Sequence, residues 1–202
     1  MEHDPHHQKI FIFDGPDGTG KTNIAKALSS AWDVPYFKFS GEHDYWRKDQ
    51  FKTALEFDQP FMLEYLKQSR ASIIWDRAYP SEYVYSAIFG RETNMQLLER
   101  LDKEYAKLNT WIVIPLRSNY QDNEEDDLVP KSELTNLHDA YEEFCDWSDC
   151  NTIRIYVDSF GNDTRRELAA LQPILEHPTN HWKQMVILQD KPLEPLPFKG
   201  NK

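Results

Sequence analysis

The sequence lacks the features that define several classes of protein. It has only two cysteines in 202 residues, Cys145 and Cys150, which are too few for a disulfide framework and the wrong number for a zinc site. We therefore expect two reduced thiols in the core. No apolar run is longer than about six residues, far short of the roughly 20 that cross a bilayer. The first residues, MEHDPHHQ, carry neither part of a secretory signal, so we expect a cytoplasmic protein with no membrane contact.

Positive charge is also scarce. The 23 lysines and arginines are outnumbered by 34 aspartates and glutamates, which gives a net charge of −11. A protein with this overall field repels polyanions, and general coating of nucleic acid is therefore disfavoured. Any phosphate group must be bound in a local positive pocket.

Short apolar runs alternate with longer amphipathic stretches along the chain. The runs predict five strands, at residues 9–13, 34–39, 72–76, 110–115 and 152–158. Apolar residues at spacings of three and four predict helices at residues 23–32, 81–89, 95–108, 134–148 and 164–176. This alternation is typical of right-handed βαβ crossovers, and it predicts an α/β fold with a five-stranded parallel sheet covered on both faces.

The length favours a single domain, which we place at residues 9–190. Residues 1–8 are expected to form a flexible N-terminus. Residues 191–202 hold three prolines, and we expect this tail to be extended.

One short motif directly follows the first predicted strand. GPDGTGKT at residues 15–22 fits the pattern G-x-x-x-x-G-K-[ST], and an alanine-rich helix follows it. Glycines let the backbone amides surround a phosphate, Lys21 supplies a cation for the terminal phosphates, and the Thr22 hydroxyl suits Mg²⁺. The candidate ATP-binding residues are Gly15, Pro16, Asp17, Gly18, Thr19, Gly20, Lys21 and Thr22.

A second motif closes the third predicted strand. WDRAYPSEYVYS at residues 75–86 places Asp76 and Arg77 at the carboxyl end of that strand, where open α/β sheets build their sites. Asp76 could hold Mg²⁺, together with Thr22, or take a proton from an acceptor. Arg77 could grip a phosphate group.

These motifs resemble those of the thymidylate kinase family, within the wider group of deoxynucleoside and nucleoside-monophosphate kinases. FDGPDGTGKT is similar to the family loop E-G-x-D/E-G-x-G-K-T, and DRAYPS is similar to its D-R-Y-x-x-S motif. DRAYPS matches the E-R-S-x-x-S of deoxynucleoside kinases less closely. Asp158 ends the last predicted strand, in the family's order. The compact, tryptophan-rich sequence most resembles phage-encoded members of the group.

The resemblance implies a three-layer P-loop NTPase fold of the nucleotide-kinase type, with ATP and Mg²⁺ as cofactors. It implies that Asp17 contacts a sugar hydroxyl of the acceptor and that residues from about 117 to 130 form a lid. It also implies a homodimer, in the host cytoplasm if the protein is phage-encoded.

Two departures from the family pattern bear on the site. The family usually has an arginine about twenty residues before its D-R pair that reads the thymine edge, whereas this stretch reads ALEFDQPF. The base of the acceptor is therefore open. The family lid brings in arginines, but here Arg117 stands alone before a run of acids. Catalytic positive charge is expected from Arg117 or Arg77, or from Arg47 or Arg91, and the catalytic candidates are Lys21, Asp76, Arg77 and Arg117.

Two classes of acceptor remain open on the residues alone. A monophosphate is already anionic and needs positive charge, whereas a hydroxyl needs a carboxylate to take its proton. Aromatic side chains near the expected cleft could stack on a base, but the helical spacing of Phe57, Phe61 and Tyr65 predicts core residues. The acceptor-binding candidates are Asp17, Lys38, Glu42, Trp46, Arg47, Tyr79 and Tyr83.

Three functions follow from these alternatives. The leading hypothesis is a kinase that moves the γ-phosphate of MgATP to a small, thymidylate-like deoxynucleoside monophosphate. The second is a kinase for a hydroxyl acceptor, either a deoxynucleoside or 5-hydroxymethyluracil in phage DNA. The third is a non-catalytic nucleotide-binding switch, which the Asp76–Arg77 pair and the absence of an N-K-x-D guanine motif make the minority hypothesis.

Overall fold

The computed structural model describes residues 8–38, 54–117, 131–156, 168–169, 171 and 183–187. The expected flexible N-terminus, apart from Gln8, and the proline-rich tail lie outside these residues. So does most of the helix expected at residues 164–176.

In the described part of the chain, six parallel strands form one sheet, in the spatial order β2-β3-β1-β4-β5-β6. All five strands expected from the sequence are present. The sixth, β6, lies beside β5 at the edge of the sheet, in a stretch where the apolar pattern predicted no element. The strands are Ile10–Phe13 (β1), Tyr36–Lys38 (β2), Ile73–Asp76 (β3), Trp111–Leu116 (β4), Asn151–Tyr156 (β5) and Lys183–Ile187 (β6).

Helices connect these strands, and a π-helical turn at Ala54–Asp58 leads into the second of them. Pro60 lies in the first turn of α2, where its missing N–H costs no helical bond. None of the described helices has both the length and the apolar composition needed to cross a membrane. The helices whose bounds lie within the described residues are Lys21–Trp32 (α1), Gln59–Ser69 (α2), Tyr79–Ile88 (α3), Met95–Lys107 (α4) and Lys131–Trp147 (α5).

The core lies on both faces of the sheet, as the three-layer prediction requires. Along β1, Ile10 and Ile12 face the helices α2 to α5, whereas Phe11 and Phe13 face α1. Cys145 and Cys150 are free and buried, as expected. Burial raises the pKa of the Cys145 thiol to about 12, so it stays neutral.

The exposed face of α2 and of the π-helical turn before it contradicts one expectation. Phe57, Phe61 and Tyr65 were expected in the core, but they are 66%, 73% and 50% exposed. The buried side of this stretch is formed instead by Leu63, Leu66 and neighbouring residues. Two faces of this helical stretch carry apolar residues at helical spacing. Spacing alone does not show which of the two faces packs against the sheet.

Tyr79 also departs from its expected role. Its side chain is 1% exposed, its hydroxyl donates to Asp102 Oδ1 at 2.6 Å, and its ring stacks on Tyr105 with centroids 5.5 Å apart. The Ser148 hydroxyl donates to the same carboxylate oxygen at 2.5 Å. The prediction that Tyr79 contacts an acceptor is therefore wrong, because the first turn of α3 directs this ring into the core against α4.

The two stacked tyrosines give a matched stability test. Tyr79→Phe should lower the free energy of unfolding by about 1–2 kcal/mol, because buried Asp102 loses a donor. Tyr105 is equally buried, but its hydroxyl has no hydrogen-bond partner among the described residues. Tyr105→Phe should therefore change the stability by less than about 0.5 kcal/mol. Urea unfolding measures both variants, and equal losses would contradict this account of the hydrogen bond.

Candidate active site

The loop after β1 has the backbone conformation that its glycines allow. Gly15 has φ of 140°, and a Cβ there would lie 3.1 Å from the carbonyl oxygen of Pro115 on β4. Gly20, with φ of 82°, is the N-cap of α1, and its carbonyl accepts the amide of Asn23 at 3.0 Å. The loop therefore lies at the carboxyl edge of the sheet, where β1 separates β3 from β4 and open α/β sheets bind ligands.

Lys21 is buried at the start of α1, with 5% of the residue exposed. Its ammonium group donates to the carbonyl oxygen of Pro16 at 3.1 Å and to Asp17 Oδ1 at 3.3 Å. Burial lowers its pKa, and the nearby charge of Arg77 lowers it further. A buried cation inside a loop of backbone amides is suited to bind phosphate oxygens.

Asp17 and Arg77 meet across the mouth of this loop. One terminal nitrogen of the Arg77 guanidinium donates to Asp17 Oδ1, and the Tyr85 hydroxyl donates to Asp17 Oδ2 at 3.1 Å. Burial tends to raise the pKa of Asp17, but the charges of Arg77 and Lys21 outweigh it and hold the pKa well below its usual 3.8. The two motifs found in the sequence thus form one charged cluster.

Tyr85 completes this cluster, although the sequence analysis named Tyr83 as a candidate and not Tyr85. The guanidinium carbon of Arg77 lies 5.6 Å from the centroid of the Tyr85 ring, a cation–π distance. Tyr83 packs instead on α5, with its ring centroid 4.6 Å from that of Trp147. The three-residue spacing from Ser81 to Val84 indicates the buried face of α3. It does not indicate which of the neighbouring tyrosines faces the phosphate loop.

Asp14, the last residue before the loop, is a second functional candidate that sequence reasoning missed. It is fully buried and accepts hydrogen bonds from the Gly15 amide at 2.8 Å, the Ser81 hydroxyl at 2.7 Å and the Tyr141 hydroxyl at 2.7 Å. Arg77 lies 3.6 Å from its Oδ1. A carboxylate at the carboxyl end of the central strand was the signal that could have identified it.

Asp76 ends β3 beside the loop, fully buried. Its Oδ2 accepts the Thr22 hydroxyl at 2.6 Å and the Tyr36 hydroxyl at 2.8 Å, and Lys38 Nζ lies 3.9 Å from the same atom. Burial and the Asp76 charge raise the pKa of Tyr36, which keeps that hydroxyl a donor. Asp76 Oδ1 is buried and has no hydrogen-bond partner among the described residues.

This arrangement fits a magnesium ion that the protein holds by few ligands. The Thr22 hydroxyl and the Asp76 carboxylate are oxygen donors of the kind that Mg²⁺ prefers, and Asp76 Oδ1 is available. In the described part of the chain, no group of three or more His, Cys, Asp or Glu could hold a metal alone. Mg²⁺ usually takes one or two protein ligands and completes its shell with phosphate and water.

The remaining site candidates are placed as follows. Arg117 directly follows β4 at the carboxyl edge and is partly buried. Arg91, an alternative source of catalytic charge, pairs with Glu82 at 3.1 Å. The other candidates lie outside the described residues: Glu42, Trp46, Arg47, Asp158 and lid residues 118–130.

The charged cluster makes a pH-dependent prediction. Because the pKa of Asp17 in the folded protein lies below 3.8, its carboxylate contributes stability above pH 3.8 and loses that contribution as the pH falls through the lower folded value. At pH 7, Asp17→Asn should lower the free energy of unfolding by about 2 kcal/mol. Urea unfolding from pH 7 down to pH 2 should show wild type and variant converging below about pH 4. A difference that stays constant with pH would contradict the ion-pair assignment.

Comparisons with known proteins concern the family and the fold of the chain. A family model described as "ATPase family associated with various cellular activities (AAA)" matches residues 11–129. Among solved structures, the YorR protein of Bacillus subtilis, in complex with phosphorylated GDP, is 17% identical with a TM-score of 0.56. That match covers 86% of this chain and 100% of the other. No protein with a curated description matches the sequence.

Two kinases also match. Deoxyadenosine kinase from M. mycoides, with bound dATP, is 18% identical with a TM-score of 0.50 over 83% of this chain and 100% of the other. Thymidylate kinase from Ehrlichia chaffeensis is 19% identical with a TM-score of 0.45 over 82% and 99%. At 17% and 18% identity, the likeness to the YorR protein and to deoxyadenosine kinase concerns the fold, and the expected P-loop fold of the nucleotide-kinase type is confirmed. Because the AAA model matches more than half of the sequence, the chain belongs to the ATPase family associated with various cellular activities.

Proposed function

We propose that this protein transfers the γ-phosphoryl group of MgATP to a small deoxynucleoside monophosphate of the thymidylate type. The observation that carries the proposal is the contact of Arg77 with Asp17. Through this contact, Arg77 at the end of β3 lies against Asp17 of the phosphate loop. A substrate group bound by Arg77 would therefore lie next to a group bound by the loop. A protein that only bound nucleotide would need the loop and not the arginine.

The donor side of the site is the loop itself. Its glycines have positive φ angles, which leave room for phosphate groups next to the backbone amides, and the Lys21 side chain reaches into that loop. In the structure Lys21 donates to Pro16 and Asp17, and we propose that phosphate oxygens replace these acceptors when ATP binds. The lysine then stabilises the charge that develops on the β- and γ-phosphates.

The acceptor side begins at Arg77 and Asp17. We propose that Arg77 binds the acceptor's phosphate and that Asp17 binds its sugar hydroxyl. Lys38, whose ammonium group lies 3.9 Å from Asp76 Oδ2, adds a cation next to Asp76. Arg117, at the start of the expected lid, supplies a further positive charge at the same edge of the sheet.

The proposed reaction balances without a base. An acceptor phosphate oxygen, already anionic, forms a bond to the γ-phosphorus. The bond from that phosphorus to the β–γ bridging oxygen breaks, and ADP leaves with the electron pair. When bound at Thr22 and Asp76, Mg²⁺ neutralises phosphate charge. The protein's part is to align the two nucleotides and to exclude water.

One observation favours a hydroxyl acceptor as a second candidate. Asp76 Oδ1 is buried with no partner among the described residues, and a carboxylate oxygen in that state could take the proton of an alcohol as the new bond forms. The acceptor would then be a deoxynucleoside or a hydroxymethylated pyrimidine in DNA. The same oxygen serves Mg²⁺ in the leading proposal, so the acceptor must be identified by experiment.

A panel of acceptors tests the proposal. The protein is incubated with [γ-³²P]ATP, Mg²⁺ and, in turn, each deoxynucleoside, each deoxynucleoside monophosphate, and DNA with or without hydroxymethyluracil. We expect label on one or two monophosphates, because Arg77 recognises a phosphate group. Label on a nucleoside or on DNA alone would replace the leading proposal with the second candidate, and absence of label from every acceptor would contradict both.

Lys21→Ala is the control for this panel. Because Asp17 keeps its contacts with Arg77 and Tyr85, the variant should fold, as checked by circular dichroism. Its transfer rate should fall by about 10²–10³-fold, the cost of removing one electrostatic stabiliser. Label transferred within threefold of the wild-type rate would show that the loop does not perform the chemistry.

A further inference from the structure

Asp14 has no direct part in the proposed reaction, yet its carboxylate accepts three amides and two hydroxyls next to the site. We propose that Asp14 is a positioning residue, which caps α3 from the neighbouring strand and so holds Arg77 in the backbone conformation that directs its guanidinium to the phosphate loop. The effect of Asp14 on catalysis rests on the proposed function, whereas its role in capping α3 is independent of that function.

The start of α3 supports the capping role. Ala78 is the N-cap residue, and no side chain of its own caps the helix. Helices usually begin with Ser, Thr, Asp or Asn, whose oxygen accepts an amide of the first turn. Here Asp14 Oδ2 accepts the Ser81 amide at 3.0 Å and the Ala78 amide at 3.3 Å. The carboxylate of another strand thus takes the place of the missing cap.

The residue before the cap shows why it needs support. Arg77 has φ of 66°, a left-handed conformation that a residue with a long side chain rarely adopts. Its amide donates to the carbonyl oxygen of Phe13 at 2.9 Å, and the next residue donates to Asp14. The unusual backbone is therefore bonded on both sides to the end of β1.

The Arg77 side chain is held from the same direction. Arg77 donates to the Ser81 hydroxyl at 3.2 Å, which donates in turn to Asp14, and the Asp14 carboxylate lies 3.6 Å from the guanidinium. Tyr141 of α5 adds a hydroxyl at 2.7 Å. The carboxylate therefore links β1, the loop, α3 and α5, and Arg77 reaches Asp17 from that frame.

Both oxygens of Asp14 act as acceptors, which an amide cannot reproduce. In Asp14→Asn, one of the two positions becomes an NH₂ group. If that group faces α3 it meets the donating amides of Ala78 and Ser81, and if it faces the loop it meets the amide of Gly15. The Asn variant keeps the size of the side chain and loses the cap or the loop contact.

A matched control is available at Asp102. It is buried to a similar degree, with 2% exposed, and accepts two hydroxyls and the amide of Asp149 at 2.6 Å. No contact joins it to Arg77 or the loop among the described residues. Hydroxyls can reverse their donor role, so Asp102→Asn keeps a bonded network. Asp102→Asn therefore tests the same change from carboxylate to amide at an equally buried position.

Kinetics with MgATP and the monophosphate that the panel identifies should separate the variants. We expect Asp14→Asn to lower kcat/KM for the acceptor by about 30–100-fold and Asp102→Asn by less than about threefold. The double variant Asp14→Asn with Arg77→Ala should be no slower than Arg77→Ala alone within about threefold, because Asp14 acts through Arg77. Equal losses at positions 14 and 102, or multiplying losses in the double variant, would overturn the proposal.

Amide hydrogen exchange tests the cap without any reaction. In ¹⁵N-labelled protein, the amides of Ala78 and Ser81 should exchange at least about tenfold faster in Asp14→Asn than in wild type, and at the wild-type rate in Asp102→Asn. Unchanged exchange at both amides would overturn the capping role even if kcat fell. If wild type phosphorylates no acceptor, the proposed function fails, and this measurement alone decides the role of Asp14.

Discussion

A buried carboxylate with several donors around it organises the candidate site. Asp14 receives amides, hydroxyls and the edge of a guanidinium from four parts of the chain. An unpaired charge in that position would be strongly destabilising, whereas a fully bonded one fixes the geometry of everything attached to it. The loop and the arginine that the proposed reaction requires are therefore positioned by one group that touches neither substrate in our proposal.

Among the described residues, the ion-paired charges around the loop balance before any ligand binds. Three carboxylates face three cations, namely Asp14, Asp17 and Asp76 with Lys21, Lys38 and Arg77. The protein has a net charge of −11, so its overall field does not attract a triphosphate. The triphosphate is bound instead by backbone amides that point into the loop and by cations that exchange their carboxylate partners for phosphate. This balance is also a reason why Mg²⁺ fits the site, since the phosphates of two nucleotides add more negative charge than the described cations can match.

The sequence predicted the parts of the molecule that local pattern determines. The five strands follow from short apolar runs, and the two motifs follow from G-x-x-x-x-G-K-[ST] and from the D-R pair at a strand end, because all of these depend on neighbours in the chain. The contacts of Asp14 and Tyr85 were missed because the partners of these residues are up to 127 residues away, a separation that no local pattern encodes. Tyr79 was expected at the acceptor but lies in the core, whereas Phe61 was expected in the core but is exposed. A helical repeat shows which residues share a face of the helix, but not which face packs against the sheet.

The central claim is that two nucleotides meet end to end, with Lys21 on the donor side and Arg77 on the acceptor side. A bisubstrate compound, adenosine and thymidine joined 5′ to 5′ by five phosphates, tests it directly by isothermal titration calorimetry with Mg²⁺. The account predicts that this compound binds at least about 10²-fold more tightly than ATP. It also predicts that Arg77→Ala removes most of that gain without weakening ATP itself. Binding no tighter than that of ATP, or a gain that survives Arg77→Ala, would contradict it.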